Sequence, residues 1–342
     1  MEVRTPRQMA KELLNGVVPQ RPLFLPILFS LGAKVENVTL GTFLSNPTKI
    51  ASALRQMRTH LRSDGVACYF DPFLEVEALG ATLQRSSDDQ APAIHWPRAA
   101  RRGEIPEGLR SAEEAAKSGR VPVAAEVIRR SNALPNRDFL LMAGVTGPLT
   151  LAARVTQLEH KENFPGENLS DASKDLAASV VTQMATTFLE AGADLILIQE
   201  EIVPGLSAKT CDAWENLLAP TINVVRFYEA LPVFSLTCAA IPSQDWDLIF
   251  RQDWNCVKCA RSDILAMRRR EGRQPTDGNP FGVALPPEAF RPGGAHDNAS
   301  LQDVEGRISF GRASIVTTAG DVPSTTDIKY MSKVLEGIPR AV

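Results

Sequence analysis

Apolar residues change their spacing repeatedly along this chain, from short continuous runs to a recurrence every fourth position and back. Strand-forming runs lie at Leu23–Phe29, Val66–Asp71, Phe139–Ala143, Leu195–Gln199, Val233–Cys238, Asn255–Ala260, Phe281–Ala284 and Ala313–Thr317. Those at Phe139–Ala143, Leu195–Gln199 and Ala313–Thr317 have sharp polar or glycine-containing endings, the mark of a strand running into a turn. Between them Leu176, Val180, Met184 and Phe188 recur every fourth residue and set one apolar stripe along a helix. Similar patterns predict helices near Thr48–Arg62, Ala208–Glu229, Ser262–Glu271 and Thr325–Leu335.

Eight strands alternating with helices predict parallel βαβ units, and 342 residues suit one α/β barrel of the (β/α)8 TIM type spanning 1–342 as a single domain. The alternation breaks at Ser86–Arg110, which holds five prolines or glycines amid mixed charge and reads as an excursion over the barrel mouth. Loops are expected at 273–280 and 291–298, flanking the seventh strand.

Composition narrows the setting. The chain is 44% hydrophobic and 23% charged, enough to bury a large core, and its formal net charge of −3 gives no electrostatic reason for nucleic acid or an anionic membrane as partner. No apolar run approaches the roughly 20 residues that span a bilayer, and the polar start Met1–Gln8 is unlike a signal peptide, so the cytoplasm is the expected compartment. Cys68, Cys211, Cys238, Cys256 and Cys259 are odd in number and scattered, which argues against a disulfide framework.

In a closed barrel the loops at the strand C-termini converge on one face, where reactive groups gather. Those ends supply Asp71, then Gly144–Thr150, then Gln199, Glu200 and Glu201, then Thr237 and Cys238, then Lys258, Cys259 and Arg261, and finally Thr318 and Asp321. No histidine falls at a strand end; His95 alone comes near, from the excursion. Asp71 precedes Pro72 and also suits a turn cap. Arg154, one turn after Thr150, offers a fork for a carboxylate or phosphate, or else is a surface arginine.

Three segments carry a resemblance: Gly144-Val145-Thr146-Gly147-Pro148-Leu149-Thr150-Leu151-Ala152, Gly192 to Glu201, and Ile315 to Pro323. With Phe70-Asp71-Pro72 and Glu75 to Ala81, they resemble the uroporphyrinogen decarboxylase superfamily, nearer its corrinoid-dependent methyltransferases than the true decarboxylases. The resemblance implies catalytic roles for Asp71, Glu200 and Glu201. Asp71 matches the aspartate that faces the substrate. Glu200 matches an acidic position that lies near the metal in methyltransferases, and a salt bridge to an arginine across the mouth is the other reading. Thr150, Arg154, Cys238, Cys259, Thr318 and Asp321 are the expected substrate-binding residues.

Thiol-dependent methyltransferases of the superfamily hold zinc with a His-x-Cys pair and a later cysteine. Here those positions read Leu236-Thr237-Cys238 and Gly320, so no zinc site is expected. Cys256-x2-Cys259 is half a zinc motif, but its thiols point to opposite faces of a strand. Glu215, another possible ligand, falls within a predicted helix. Porphyrin chemistry is disfavoured as well: the arginine-rich segment after the first strand is replaced by Pro26-Ile27-Leu28-Phe29-Ser30-Leu31-Gly32, and the tyrosine after the third by Arg154. The expected activity is methyl transfer from a small methylated substrate to a corrinoid (cobalamin) cofactor or corrinoid protein. The alternatives are a metal-free decarboxylase or lyase on a small acid, and a catalytically silent barrel that serves as a binding partner.

Overall fold

The computed structural model describes residues 4–87, 90–98, 100–158, 169–203, 206–237, 246–252, 254–262, 265, 280–286, 290, 313–329 and 331. In chain order the first half contains α1 (Pro6–Leu14), β1 (Leu23–Leu25), α2 (Leu31–Val35), α3 (Leu40–Leu44), α4 (Pro47–Leu61), β2 (Gly65–Tyr69), α5 (Leu74–Leu79), β3 (Thr82–Gln84), β4 (Ala93–His95), α6 (Ala112–Ala115) and α7 (Val121–Asn132). The second half contains β5 (Leu140–Thr146), α8 (Pro148–Val155), α9 (Asp171–Glu190), β6 (Leu195–Glu200), α10 (Ala208–Phe227), β7 (Leu231–Leu236), α11 (Trp246–Arg251), β8 (Val257–Arg261), β9 (Phe281–Leu285) and β10 (Ile315–Thr318). No helix among the described residues is long and apolar enough to cross a membrane.

Eight strands form one parallel sheet in the order β1-β10-β9-β8-β7-β6-β5-β2. This is the expected TIM barrel, nearly closed. The seam lies between β1 and β2, where a single residue replaces a ladder. Asp64 donates its amide to the Phe24 carbonyl at 2.9 Å, and its Oδ2 accepts from the Phe24 amide at 2.8 Å. Arg21 grips the same carboxylate through two guanidinium nitrogens at 2.7 and 2.8 Å, which satisfies a buried charge with charge-assisted bonds.

The ladder registers decide which side chains look inward. Around the barrel Leu23, Ile315, Gly282, Cys259, Ser235, Gln199 and Thr146 are successive partners. The alternate face carries Phe234, which meets Trp214 of α10 and Trp254 edge-on at 5.4 and 5.1 Å, so that face packs on the helices. Lys258 shares it, with Nζ 5.5 Å from the Trp254 ring, and so points away from the mouth. Alternation then places Cys259 and Gln199 on the interior.

Strand ends depart from the sequence pattern where proline or a turn intervenes. The first strand stops at Leu25 rather than Phe29, because Pro26 has no amide to donate. The third runs on to Thr146, past the predicted Ala143. The 86–110 excursion is more than a loop: β4 lies within it and pairs antiparallel with β3, through Leu83 opposite Ile94. Most of the helix predicted at 262–271, the end of the one predicted at 325–335, the loops predicted at 273–280 (except Pro280) and 291–298, and Cys238 lie outside the described residues.

Candidate active site

At the end of β2 the ladder to β5 shifts register between Ala67 and Tyr69, and the chain turns through Phe70, Asp71 and Pro72. Asp71 Oδ1 accepts the Phe73 amide at 3.0 Å, the turn cap that its sequence allows. Its Oδ2 lies 2.6 Å from Arg120 Nη1 and 3.4 Å from Arg85 Nη2. Burial works against the Arg120 charge, yet Asp71, Tyr69 and Glu77 together hold its pKa above the ordinary value. Asp71 is therefore both a cap and the anchor of an arginine pair.

Glu200 is fully buried at the end of β6, beside the turn that links β5 to α8. Its two oxygens accept the Leu149 and Thr150 amides at 2.9 and 2.8 Å, so the carboxylate sits on the first turn of α8, where helix amides lack internal partners. Gly147 makes the approach possible, since a Cβ there would fall 2.4–2.7 Å from the Glu200 carboxyl atoms. Burial pushes this carboxyl up to about 7, against the bonds from Thr150 and Leu149 that lower it. The arginine partner considered for the acidic pair goes instead to Glu201, whose Oε2 is 2.8 Å from Arg154 Nη2.

Arg154 is nearly buried and ties three loops together. Its Nη1 donates to the Pro72 carbonyl at 2.5 Å and meets Thr146 Oγ1 at 3.4 Å, and its guanidinium lies 5.0 Å from the Phe73 ring centroid. Thr146 in turn donates its amide and hydroxyl to the two oxygens of Glu75, both at 2.8 Å. The Thr150 hydroxyl accepts the Glu201 and Ile202 amides at 2.8 and 3.2 Å. Thr318 Oγ1 accepts from the Ile27 amide at 3.0 Å and donates to the Gly320 carbonyl at 2.6 Å. Cys259 fills the interior space that Gly282 leaves free, and burial pushes its thiol far up, which disfavours the thiolate.

Two openings lie at the strand ends. A narrow cleft is walled by Asp71, Thr146, Arg154, Gln199 and Glu201. Beside it is a cavity of about 400 Å3 lined by Ser30, Leu40, Leu44, Phe70, Phe73, Asp71, Arg85 and Asp321, with Gln90 and Ala91 from the β3–β4 connection leaning over it. A larger cavity of about 900 Å3 lies on the outer ring between α9 and α10 and reaches Leu149 in the first turn of α8.

Asp321 is the acidic group on the far wall of the 400 Å3 cavity. Its Oδ2 accepts the Ser30 amide at 2.8 Å and, at short range, the Ser30 hydroxyl. Its Oδ1 is buried and has no hydrogen-bond partner among the described residues. Burial pushes the carboxyl up to about 7, and the charge of Asp71 adds to the rise. The structure thus brings Asp71 and Asp321 to one cavity and Asp71, Arg154 and Glu201 to the adjoining cleft. Glu200, Thr150 and Thr318 are spent on main-chain amides and carbonyls behind them. Arg85, Arg120 and Glu75 complete the constellation. Only Glu75 stood in a segment that sequence singled out; the arginines pair over distances that leave no local pattern.

The uroporphyrinogen decarboxylase family model matches residues 5–239. The chain belongs to that family. Among solved structures it is similar to a methyltransferase from Methanosarcina mazei, with 16% identity, 98% of each chain covered and a TM-score of 0.74. It also aligns with a 2,3-dimethylmalate lyase at 8% identity over 93% of this chain and 81% of that one, with a TM-score of 0.42, too low to bear on function. No curated protein matches the sequence. At the two family zinc positions that differ, Leu236 and Gly320 offer no donor atoms, and the described residues hold no cluster of three His, Cys, Asp or Glu suited to a metal.

Proposed function

We propose that this family member is a methyltransferase that takes a methyl group from a small methylated substrate held between Asp71 and Asp321. The methyl acceptor is a corrinoid, free or on a partner protein, which enters as a co-substrate. The observation that carries this reading is the 400 Å3 cavity itself, where apolar side chains such as Leu40, Leu44, Phe70 and Phe73 stand beside polar ones and the Asp71 charge is compensated by arginine. Its size is at the low end of ligand sites, about 300–1,000 Å3. Leu28, Phe29 and Leu31, in the segment where a polycarboxylate substrate needs arginines, are buried and apolar. The whole-length likeness to a methyltransferase supports the same reading.

The chain's own residues position the donor and stabilise its leaving heteroatom. Asp71 faces the donor as a fixed charge, held by Arg120 and Arg85 so that it need not reorganise during reaction. Arg154, which a decarboxylase would need for a substrate carboxylate, already donates to Pro72 and Glu201. We propose further that no zinc takes part, because the family's ligand set is incomplete.

Incubation with reduced cobalamin and methyl ethers, methylamines or methyl thioethers tests the activity, with methylcobalamin formation as the readout. Release of carbon dioxide from small acids, without methyl transfer from any donor, would replace this reading by a decarboxylase. About one tightly held zinc per purified chain, lost in Cys238→Ser, would overturn the metal-free part.

A further inference from the structure

We infer that Arg85, on the β3–β4 hairpin, is the anion receptor of the 400 Å3 cavity, so that the methyl donor is a small methylated acid whose carboxylate this guanidinium holds. The inference deepens the methyltransferase reading and rests on it for the reaction; the carboxylate site itself rests on the hairpin. Strand pairing decides which way Arg85 turns. Leu83 lies opposite Ile94 and both pack against the core, while Thr82, Gln84, Ala93 and His95 on the alternate face are exposed. Arg85 continues the Leu83 face and so turns inward, where it lines the cavity with its side chain a quarter exposed.

A guanidinium on an inward face needs partners, and Arg85 is short of them. Its Nη2 reaches Asp71 Oδ2 at 3.4 Å, a loose contact. Its Nε and Nη1 have no hydrogen-bond partner among the described residues, and neither is enclosed. Asp71 does not depend on this contact, because its Oδ2 lies 2.6 Å from Arg120 Nη1 and its Oδ1 accepts the Phe73 amide at 3.0 Å. Arg85 can therefore keep Nη2 near Asp71 while its remaining N–H groups take a second carboxylate, a planar group that matches the guanidinium fork. Gln90, over the same cavity, adds a neutral donor. Its Oε1 accepts the Ser86 hydroxyl at 2.7 Å, which leaves its NH2 for a ligand.

The remaining walls limit the charge and size of the ligand. Arg85 and Arg120 are matched by the carboxylates of Asp71 and Glu77, the latter 2.6 Å from Arg120 Nε, and Asp321 stands on the far wall. With no surplus of positive charge, the site accepts one further negative charge through direct, charge-assisted bonds and not two. A carboxylate meets that limit; a phosphate dianion does not. Leu40, Leu44, Phe70 and Phe73 offer apolar contact to the body of the ligand, and a volume of about 400 Å3 suits one small acid.

Paired titrations of the full-length protein test the assignment: 4-methoxybenzoate against the uncharged 4-methoxybenzamide, and methoxyacetate against methoxyacetamide. At least one acid should bind wild type about tenfold more tightly than its amide, in keeping with hydrogen bonds to a charged group. Arg85→Gln should abolish that preference while amide binding stays within a few-fold, and Arg85→Lys, which keeps the charge and loses the fork, should recover part of it. Arg98→Gln removes an exposed arginine of the same excursion and should leave the preference intact. Acids that bind no more tightly than their amides, a preference that survives Arg85→Gln, or one lost equally in Arg98→Gln overturns the proposal. In methyl transfer from the preferred acid to reduced cobalamin, Arg85→Gln should raise KM about tenfold with kcat within a few-fold. If wild type transfers no methyl group while the acid preference still depends on Arg85, the methyltransferase reading fails and the carboxylate site stands.

Discussion

Glu200 and Asp321 are two carboxyl groups near the strand C-termini of the same barrel, the first fully buried and the second half-buried, and both are pushed up to about 7 chiefly by burial. They differ in what their oxygens touch. Glu200 gives both to the amides that open α8, so it is part of the framework. Asp321 lines a cavity and gives one oxygen to Ser30, while the other is enclosed and has no hydrogen-bond partner among the described residues. A raised pKa therefore does not separate a structural acid from a reactive one. The count of satisfied lone pairs is what distinguishes these two.

The sharpest way to break this contrast is Gly147→Ala. Its Cβ would displace the Glu200 carboxyl from two amides in a site with no room to yield, and the expected cost is about 2–4 kcal/mol. The denaturant midpoint at unchanged slope measures it, and Glu200→Gln should lose about half as much, because its NH2 would face an amide donor. A midpoint near wild type in both would mean that Glu200 is not framework.

Next in size is Asp71→Asn, which leaves Arg120 with Glu77 as its remaining carboxylate and should cost about 1–3 kcal/mol. If the Asp71 charge also acts in the transition state, turnover falls by roughly 10²-fold with KM little changed. A rise in KM alone would restrict Asp71 to shaping the cavity.

Asp321→Asn should affect stability less and in a pH-dependent way. The folded-state pKa lies above that of an unfolded aspartate, so the native chain binds the extra proton between about pH 4 and 7. The Asp321 contribution to stability is fully present at the acid end and is lost as pH rises through about 7. The asparagine variant should thus gain on wild type between pH 5 and pH 8. Urea midpoints at the two values check the sign; an opposite trend would mean that Asp321 is held ionised.

The smallest expected change is in Arg85→Gln. This arginine is a quarter exposed and meets Asp71 at 3.4 Å, so stability should move by less than about 0.5 kcal/mol. If the hairpin serves the site, the KM for a cavity ligand rises while the melting temperature holds.

The barrel was legible because strand and helix periods alternate so regularly, from Leu23 to Thr317. The limits of reading sequence appear where partners are distant. Three-residue strands such as β3 and β4 are too short to show a period, so the hairpin passes for loop. Asp71 stood out as a strand-end residue, but Arg120, 49 positions later, gives no local sign that it pairs with it. Glu200 could be placed at the mouth, whereas its use as a lid on α8 depends on the neighbouring strand's turn and on Gly147. Asp321 was visible as a candidate; its unengaged oxygen was visible only with Ser30 beside it.

The barrel seam has a dynamic consequence. Between β5 and β9 each barrel strand is held by ladders on both sides, whereas β1 is zipped to β10 alone and meets β2 through Asp64. Transient opening of the cylinder therefore begins along that line, and hydrogen exchange at the Phe24 and Asp64 amides reports how often it occurs. The Arg21–Asp64 pair is the latch whose lifetime sets that rate.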